Sequence, residues 1–79
     1  MELLRNLDKV HTTEMGVDRI KRNIEVDVDD IVSYCIDKIK QDNAAIEKKG
    51  KNYYVNVDGI IITVNASSYT IITAHKEKK

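Results

Sequence analysis

Cysteine occurs once in this 79-residue chain, proline not at all, and the formal net charge is zero. A lone Cys35 excludes an intrachain disulfide. Its two histidines, His11 and His75, stand at opposite ends. No Cys/His cluster with metal-ligand spacing follows, and neither a metal nor another cofactor is expected. With no proline, no repeat and no low-complexity run, nothing marks a linker, so residues 1–79 are read as one domain. At this length a single core supplies only about 3–5 kcal/mol, which leaves self-association open as a further source of stability. The longest apolar run, around Gly59 to Ile62, is far too short to span a bilayer. MELLRNLDKV is amphipathic rather than charged and then apolar, so no signal peptide and no membrane partner is expected. The default setting is reducing and cytoplasmic.

A zero net charge, from 13 basic and 13 acidic residues, argues against tight nonspecific nucleic-acid binding, which needs excess Lys and Arg. The distribution is uneven. Residues 1–47 hold seven Lys/Arg against eleven Asp/Glu, and residues 48–79 hold six against two. An acidic first half and a basic second half can mark a polyanion-facing side, or simply chance over a short chain.

What is present is periodicity. Leu3, Leu4, Leu7 and Val10 predict a short helix over 2–10, with His11 as a helix-end or interhelix residue. Thr12 or Thr13 offers an N-cap for a helix over 13–24, whose apolar face is Val17, Ile20 and Ile24. Arg19 and Arg22 project opposite that face, as solvated residues or as a polyanion contact. Val28, Ile31, Val32, Cys35, Ile36 and Ile39 predict a third helix over 28–41. Asp27 is its expected N-cap, with Asp29 and Asp30 in the first turn. Cys35, in mid-stripe, reads as a small buried hydrophobe, and Tyr34 points off the stripe.

From Ala44 the period becomes alternating. Turn signals at Lys49-Gly50, Asp58-Gly59 and Ala66-Ser67-Ser68 divide four strands, near 44–48, 51–57, 60–65 and 69–75. The class is α+β, with about three N-terminal helices on one face of a four-stranded antiparallel meander. A two-residue turn at Asp58-Gly59 pairs Val57 with Ile60, Val55 with Ile62 and Tyr53 with Val64, an apolar face for the helices. The opposite face then carries Asn52, Tyr54, Asn56, Ile61, Thr63 and Asn65. The last hairpin has two readings. A Ser67-Ser68 turn puts Ile71, Thr73 and His75 on the core face. A three-residue loop, favoured because it keeps His75 off the core, puts Thr70, Ile72 and Ala74 there. That loop sends Tyr69, Ile71, Thr73 and His75 to the polar face. The terminal KEKK reads as a solvated tail.

On the favoured register the polar face gathers Asn52, Tyr54, Asn56, Thr63, Asn65 and Tyr69, with Thr73 and His75. Lys48, Lys51 and Lys76 are placed at its rim. Aromatics for stacking, amides for base edges and lysines for phosphates suit single-stranded RNA. His75 is a candidate general acid or base, and a Lys or Tyr could stabilise a phosphorane-like transition state without metal. An open sheet also shows a polar face to water with no ligand at all. A protein-interaction module or a homodimer accounts for the same pattern.

Three segments carry a family resemblance: LLRNLDKVHTTEMGVDRIKRNI, KGKNYYVNVDG and ITVNASSYTIITAHK. On them the chain resembles a small bacterial family, the domain of unknown function numbered 3781, over nearly all its length. Helices followed by a meander closing on Thr73-Ala74-His75 are also similar to the barnase–EndoU–colicin–RelE group of metal-independent ribonucleases. That second resemblance implies an RNA substrate, with Thr73 and His75 as the catalytic candidates.

Overall fold

Asn6 is where the first helix fails. Its side-chain amide donates to the Glu2 carbonyl at 2.8 Å, competing with the backbone ladder. A single turn, α1 (Glu2–Arg5), therefore gives way to a 3₁₀ turn (Leu7–Lys9) instead of one helix over 2–10. Leu3 and Val10 are buried, Leu7 packs against the core, and Leu4 faces solvent. The structure, a computed structural model, describes residues 2–77. Met1 and the last two residues of the KEKK tail, Lys78 and Lys79, lie outside the described residues.

His11 ends no helix. Its backbone forms a parallel bridge with Thr70, through His11 N–H to the Tyr69 carbonyl at 3.1 Å and Ile71 N–H to the His11 carbonyl at 2.7 Å. Thr12 Oγ1 donates to the Ile71 carbonyl at 3.0 Å. Helix α2 (Glu14–Ile24) starts at Thr13, whose hydroxyl accepts from Gly16 N–H at 3.0 Å. Gly16 is required by close approach, since a Cβ there would lie 2.3 Å from Thr12 Oγ1. Glu25 closes α2 in the left-handed region, at φ 56°.

Helix α3 (Ile31–Ile39) begins three residues later than its apolar stripe. The cap is Asp30, not Asp27: Asp30 Oδ1 accepts from Ser33 N–H at 3.1 Å, and Ser33 Oγ donates to Oδ2 at 2.8 Å. Asp27 has no residue placed three positions on to reciprocate in this way, since Asp30 itself stands there. Val28 precedes the helix but still packs against the core. Ile31, Cys35 and Ile39 are buried. Burial pushes the Cys35 thiol up to about 11, which leaves it a small apolar filler.

Four antiparallel strands follow in sheet order: β1 (Ala45–Lys49), β2 (Asn52–Val57), β3 (Ile60–Asn65) and β4 (Ile71–Lys76). Asp58 and Gly59 both have positive φ, 50° and 77°, as a two-residue type I′ turn demands. Val57–Ile60, Val55–Ile62 and Tyr53–Val64 are partners, and all six side chains are buried. Gly50-Lys51 forms the first hairpin turn, between Lys49 and Asn52. Helix α2 lies along β4, and α3 contacts α2 and β2. Lys38 at the end of α3 reaches Asp58 at 2.8 Å and sits 5.4 Å from the Tyr34 ring centroid.

Neither reading of the last hairpin is complete. Thr63 pairs with Thr73 and Val64 with Ile71, so Ile72 is the extra residue of a β-bulge. Ile71 and Ala74 are both buried, while Ile72 is 42% exposed. The bulge restores an apolar residue to the core and still leaves Thr73 and His75 on the polar face. The expected placement of Ile71 outside and Ile72 inside is thereby reversed.

Candidate functional site

Strand pairing arranges the outer face of the sheet in three rows. The first row is Ala45, Asn56, Ile61 and His75; the second is Glu47, Tyr54, Thr63 and Thr73; the third is Lys49, Asn52 and Asn65. Rows lie about 6.6 Å apart along the strands and neighbours about 4.8 Å apart across them. Burial separates this face from the inner one. Only Thr63 among these residues is buried, at 6% exposure, and it sits between the partners Tyr54 and Thr73.

The residues singled out from sequence divide in place. His75 is exposed, opposite Ile61, and Thr73 is half-buried. Asn52 Nδ2 donates to Tyr54 Oη at 3.4 Å, which steadies the half-buried ring. Asn56 is exposed, and its amide donates to Glu77 Oε1 at 3.4 Å. Asn65 is committed to its own loop, where Oδ1 accepts from Ser67 N–H and Ser68 N–H at 2.9 Å each. Its amide oxygen is thus an Asx-turn acceptor. Lys51 sits in the β1–β2 turn with its side chain exposed.

Three of the residues expected on the face or at its rim lie elsewhere. Tyr69 has φ 58° and packs against the core. It sits near Tyr53, whose phenol is held above its usual range by burial first and by Tyr69 second. The bulge and the left-handed residue before β4 together turn it inward. Lys76 pairs with Ile60 on the inner side of the sheet and forms an ion pair with Glu25. The Glu25 carboxyl is held low by that lysine. Lys48, opposite Tyr53, also lies on the inner side.

Glu47, Lys49 and Ala45 are outer-face residues that sequence reasoning missed. Ala45 and Glu47 fall on this face even with the turn at Lys49-Gly50, which pairs them with Tyr54 and Asn52; the turn at Gly50-Lys51 adds Lys49, paired with Asn52, and sets Glu47 opposite Tyr54. They matter because a concavity of about 520 Å³ lies on this part of the face, lined by Ala45, Glu47, Lys49, Tyr54, Asn56 and Ile61 among others. Lys49 Nζ is 3.6 Å from Glu47 Oε1, and both side chains are about two-thirds exposed. Such a pair contributes little to stability.

A second groove, of about 270 Å³, runs on α2 between Met15, Asp18, Arg19, Arg22 and Asn23. Asn23 Nδ2 donates to Thr73 Oγ1 at 3.4 Å. This contact joins the arginine groove to the second row of the sheet. A third polar cluster lies at the loop end. His11 Nδ1 is 2.9 Å from the Lys9 carbonyl, and Nε2 is 3.1 Å from Thr70 Oγ1. In the neutral ring, the carbonyl can only accept, so Nδ1 donates and Nε2 accepts from Thr70. Thr70 Oγ1 lies 2.8 Å from Ser68 Oγ.

Chemically, the outer face offers an aromatic ring, amides, hydroxyls and one imidazole. His75 and Thr73 share a face, but the lysine next to them in sequence is turned inward and ion-paired. Lys49 is three strands away, about 14 Å. Among the described residues no group of three or more His, Cys, Asp or Glu is placed to hold a metal, and no helix is long and apolar enough to cross a membrane.

No curated protein and no solved structure matches the chain. A family model does, from within α1 through the meander to Thr73-Ala74-His75 in β4: it covers residues 4–75, is described as "Protein of unknown function (DUF3781)", and the chain belongs to that family.

Proposed function

We propose that the outer sheet face, with the arginine groove of α2, binds single-stranded RNA in a cytoplasmic setting. The observation that carries this reading is the Asn23–Thr73 contact. It makes one surface of two features that separately are ordinary: a polar sheet face and an exposed arginine pair. Tyr54 supplies a stacking platform, Asn52 and Asn56 supply amide groups for base edges, and Arg19 and Arg22 supply phosphate contacts. Neither arginine has an ion-pair partner among the described residues. The lysines of the basic half add to one end, since Lys49 and Lys51 flank the Asn52 row.

Binding is favoured over cleavage. An endoribonuclease built on His75 and Thr73 needs a cation beside the scissile phosphate; both Lys76 and Lys49 are directed elsewhere, which leaves only the arginines of the α2 groove to supply it. The resemblance to the barnase group supports the RNA class through Thr73-Ala74-His75. The test is a fluorescence anisotropy titration of a labelled single-stranded oligoribonucleotide against wild type and Arg19→Ala/Arg22→Ala, in EDTA, over a series of salt concentrations. Wild type is expected to bind at low salt, and the double variant to lose affinity with a shallower salt dependence, by about one unit of slope or slightly more. Absence of binding at low salt overturns the reading. Shortening of the oligonucleotide that vanishes in His75→Ala would add catalysis to it.

One observation favours a second reading, a protein-interaction module or homodimer. The outer edge of β1 ends the sheet, and an unpaired edge is a template for another strand. Lys48 and Lys49 on that strand oppose such pairing, which ranks this reading second. A sedimentation measurement across a range of protein concentrations decides it.

A further inference from the structure

The concavity beside β1 is walled by groups of contrasting type. Ala45 and Ile61 give it apolar surface and Tyr54 an aromatic ring, while Glu47 and Lys49 stand at its rim. Glu47 and Lys49 lie two residues apart on one strand and therefore on one face. A carboxylate accepts through two oxygens and donates nothing, and an ammonium donates and accepts nothing. With Lys49 Nζ 3.6 Å from Glu47 Oε1, the rim presents two acceptors followed by a donor within one base-edge length.

Each base meets that rim differently. The Watson–Crick edge of guanine reads acceptor, donor, donor: O6, N1–H and the N2 amino group. Uracil offers one N–H flanked by two carbonyls, which would face the carboxylate oxygens. In adenine and cytosine an amino group stands next to a ring nitrogen lone pair, again repelled by a second carboxylate oxygen. Only the guanine edge satisfies both oxygens of Glu47 while placing a carbonyl toward Lys49.

We infer that this concavity is a base subsite selective for guanine, with the ring against Tyr54, N1–H and N2–H donating to Glu47, and O6 accepting from Lys49. The inference rests on the RNA reading above and names which base that surface prefers. Single-stranded RNA exposes this edge, whereas a duplex consumes it in pairing.

The test uses the full chain and five oligoribonucleotides of equal length, uridine throughout except at one central position that is guanosine, inosine, adenosine, cytidine or uridine. Anisotropy titrations are run with wild type and Glu47→Gln. The guanosine oligomer is expected to bind about tenfold tighter than the adenosine, cytidine and uridine ones, the lower part of the range for a bidentate base contact. Inosine, which keeps N1–H and O6 but lacks the amino group, is expected to fall between. Glu47→Gln brings guanosine down to the level of the others. Equal affinity of all five overturns the subsite and leaves the RNA reading standing. A guanosine preference that survives in Glu47→Gln also overturns it. Failure of every oligomer to bind overturns the RNA reading, and the subsite with it.

Discussion

The two faces of the sheet are made from the same strands, and each residue of one face has neighbours in sequence on the other. On the inner face the pairs are Val57–Ile60, Val55–Ile62 and Tyr53–Val64, all buried. On the outer face the corresponding pairs are Asn56–Ile61, Tyr54–Thr63 and Asn52–Asn65. Burial dictates the first set, because any polar group there would be desolvated without a partner. Nothing comparable dictates the second. Asparagine is disfavoured in strands, and although Asn65 is committed to its own loop, Asn52 and Asn56 stand on this face with no turn to account for them. The difference teaches where to look for function: a face free of packing demands that still carries costly residue types.

The largest expected effect breaks or keeps that contrast directly. Ile61 and Ile62 are neighbours on β3, one half-buried and one fully buried. Ile62→Ala is expected to cost about 3 kcal/mol and Ile61→Ala about 1 kcal/mol or less, in urea denaturation. Equal losses would mean that the outer face is packed in solution and not open. For a domain of this size the larger loss consumes most of the stability expected from its core.

A smaller effect sharpens the comparison at α2, which lies along β4. Thr13 caps α2 through Gly16 N–H, so Thr13→Ala is expected to cost about 1 kcal/mol, read as a lower urea midpoint with an unchanged slope. Gly at the same position should recover most of the loss.

The smallest expected effect is pH-dependent. Asp30 is held below its ordinary value by Ser33, Asp58 by Lys38 and then Asn43, and Glu25 by Lys76. All three tie or cap helices. Because their folded values are lower than the unfolded ones, their contribution is complete above about pH 4.5, the ordinary value for Glu, and is lost as pH falls through the lowered values. Thermal midpoints should therefore fall below that pH. Asp30→Asn, which keeps a capping side chain, should flatten part of the fall. An unchanged profile in Asp30→Asn would remove the cap from the acid response.

Much of the fold was legible in the sequence because period and turn chemistry agree. Asp58-Gly59 with apolar alternation on both sides specified the central hairpin to the residue. The cap of α2 was legible as Thr12 or Thr13, and Cys35 as core, from spacing alone. The misses at the helices share a cause: side-chain hydrogen bonds that leave no mark on hydropathy. Asn6 divides the first helix, and the Asp30–Ser33 pair moves the start of α3. The bulge at Ile72 was hidden because the stretch from Thr70 to Thr73 has isoleucines at both central positions, and alternation cannot choose between them. At the site, Tyr54, Thr63 and the asparagines could be placed once the Asp58-Gly59 register was known, whereas Thr73 and His75 depended on the last hairpin, which had two readings. Tyr69 and Lys76 could not, since a left-handed residue and a long-range ion pair set their directions. Lys49 required the first turn to be placed one residue later.

The contrast between the faces is tested most directly by amide NMR of the wild-type protein titrated with a single-stranded oligoribonucleotide in EDTA. The account predicts shifts at Glu47, Tyr54, Asn56, Thr63 and Thr73 and at Arg19 and Arg22, with the side-chain amides of Asn52 and Asn56 moving too. Shifts confined to the β1 edge or to the His11–Thr70 cluster, or none at all at low salt, would contradict it.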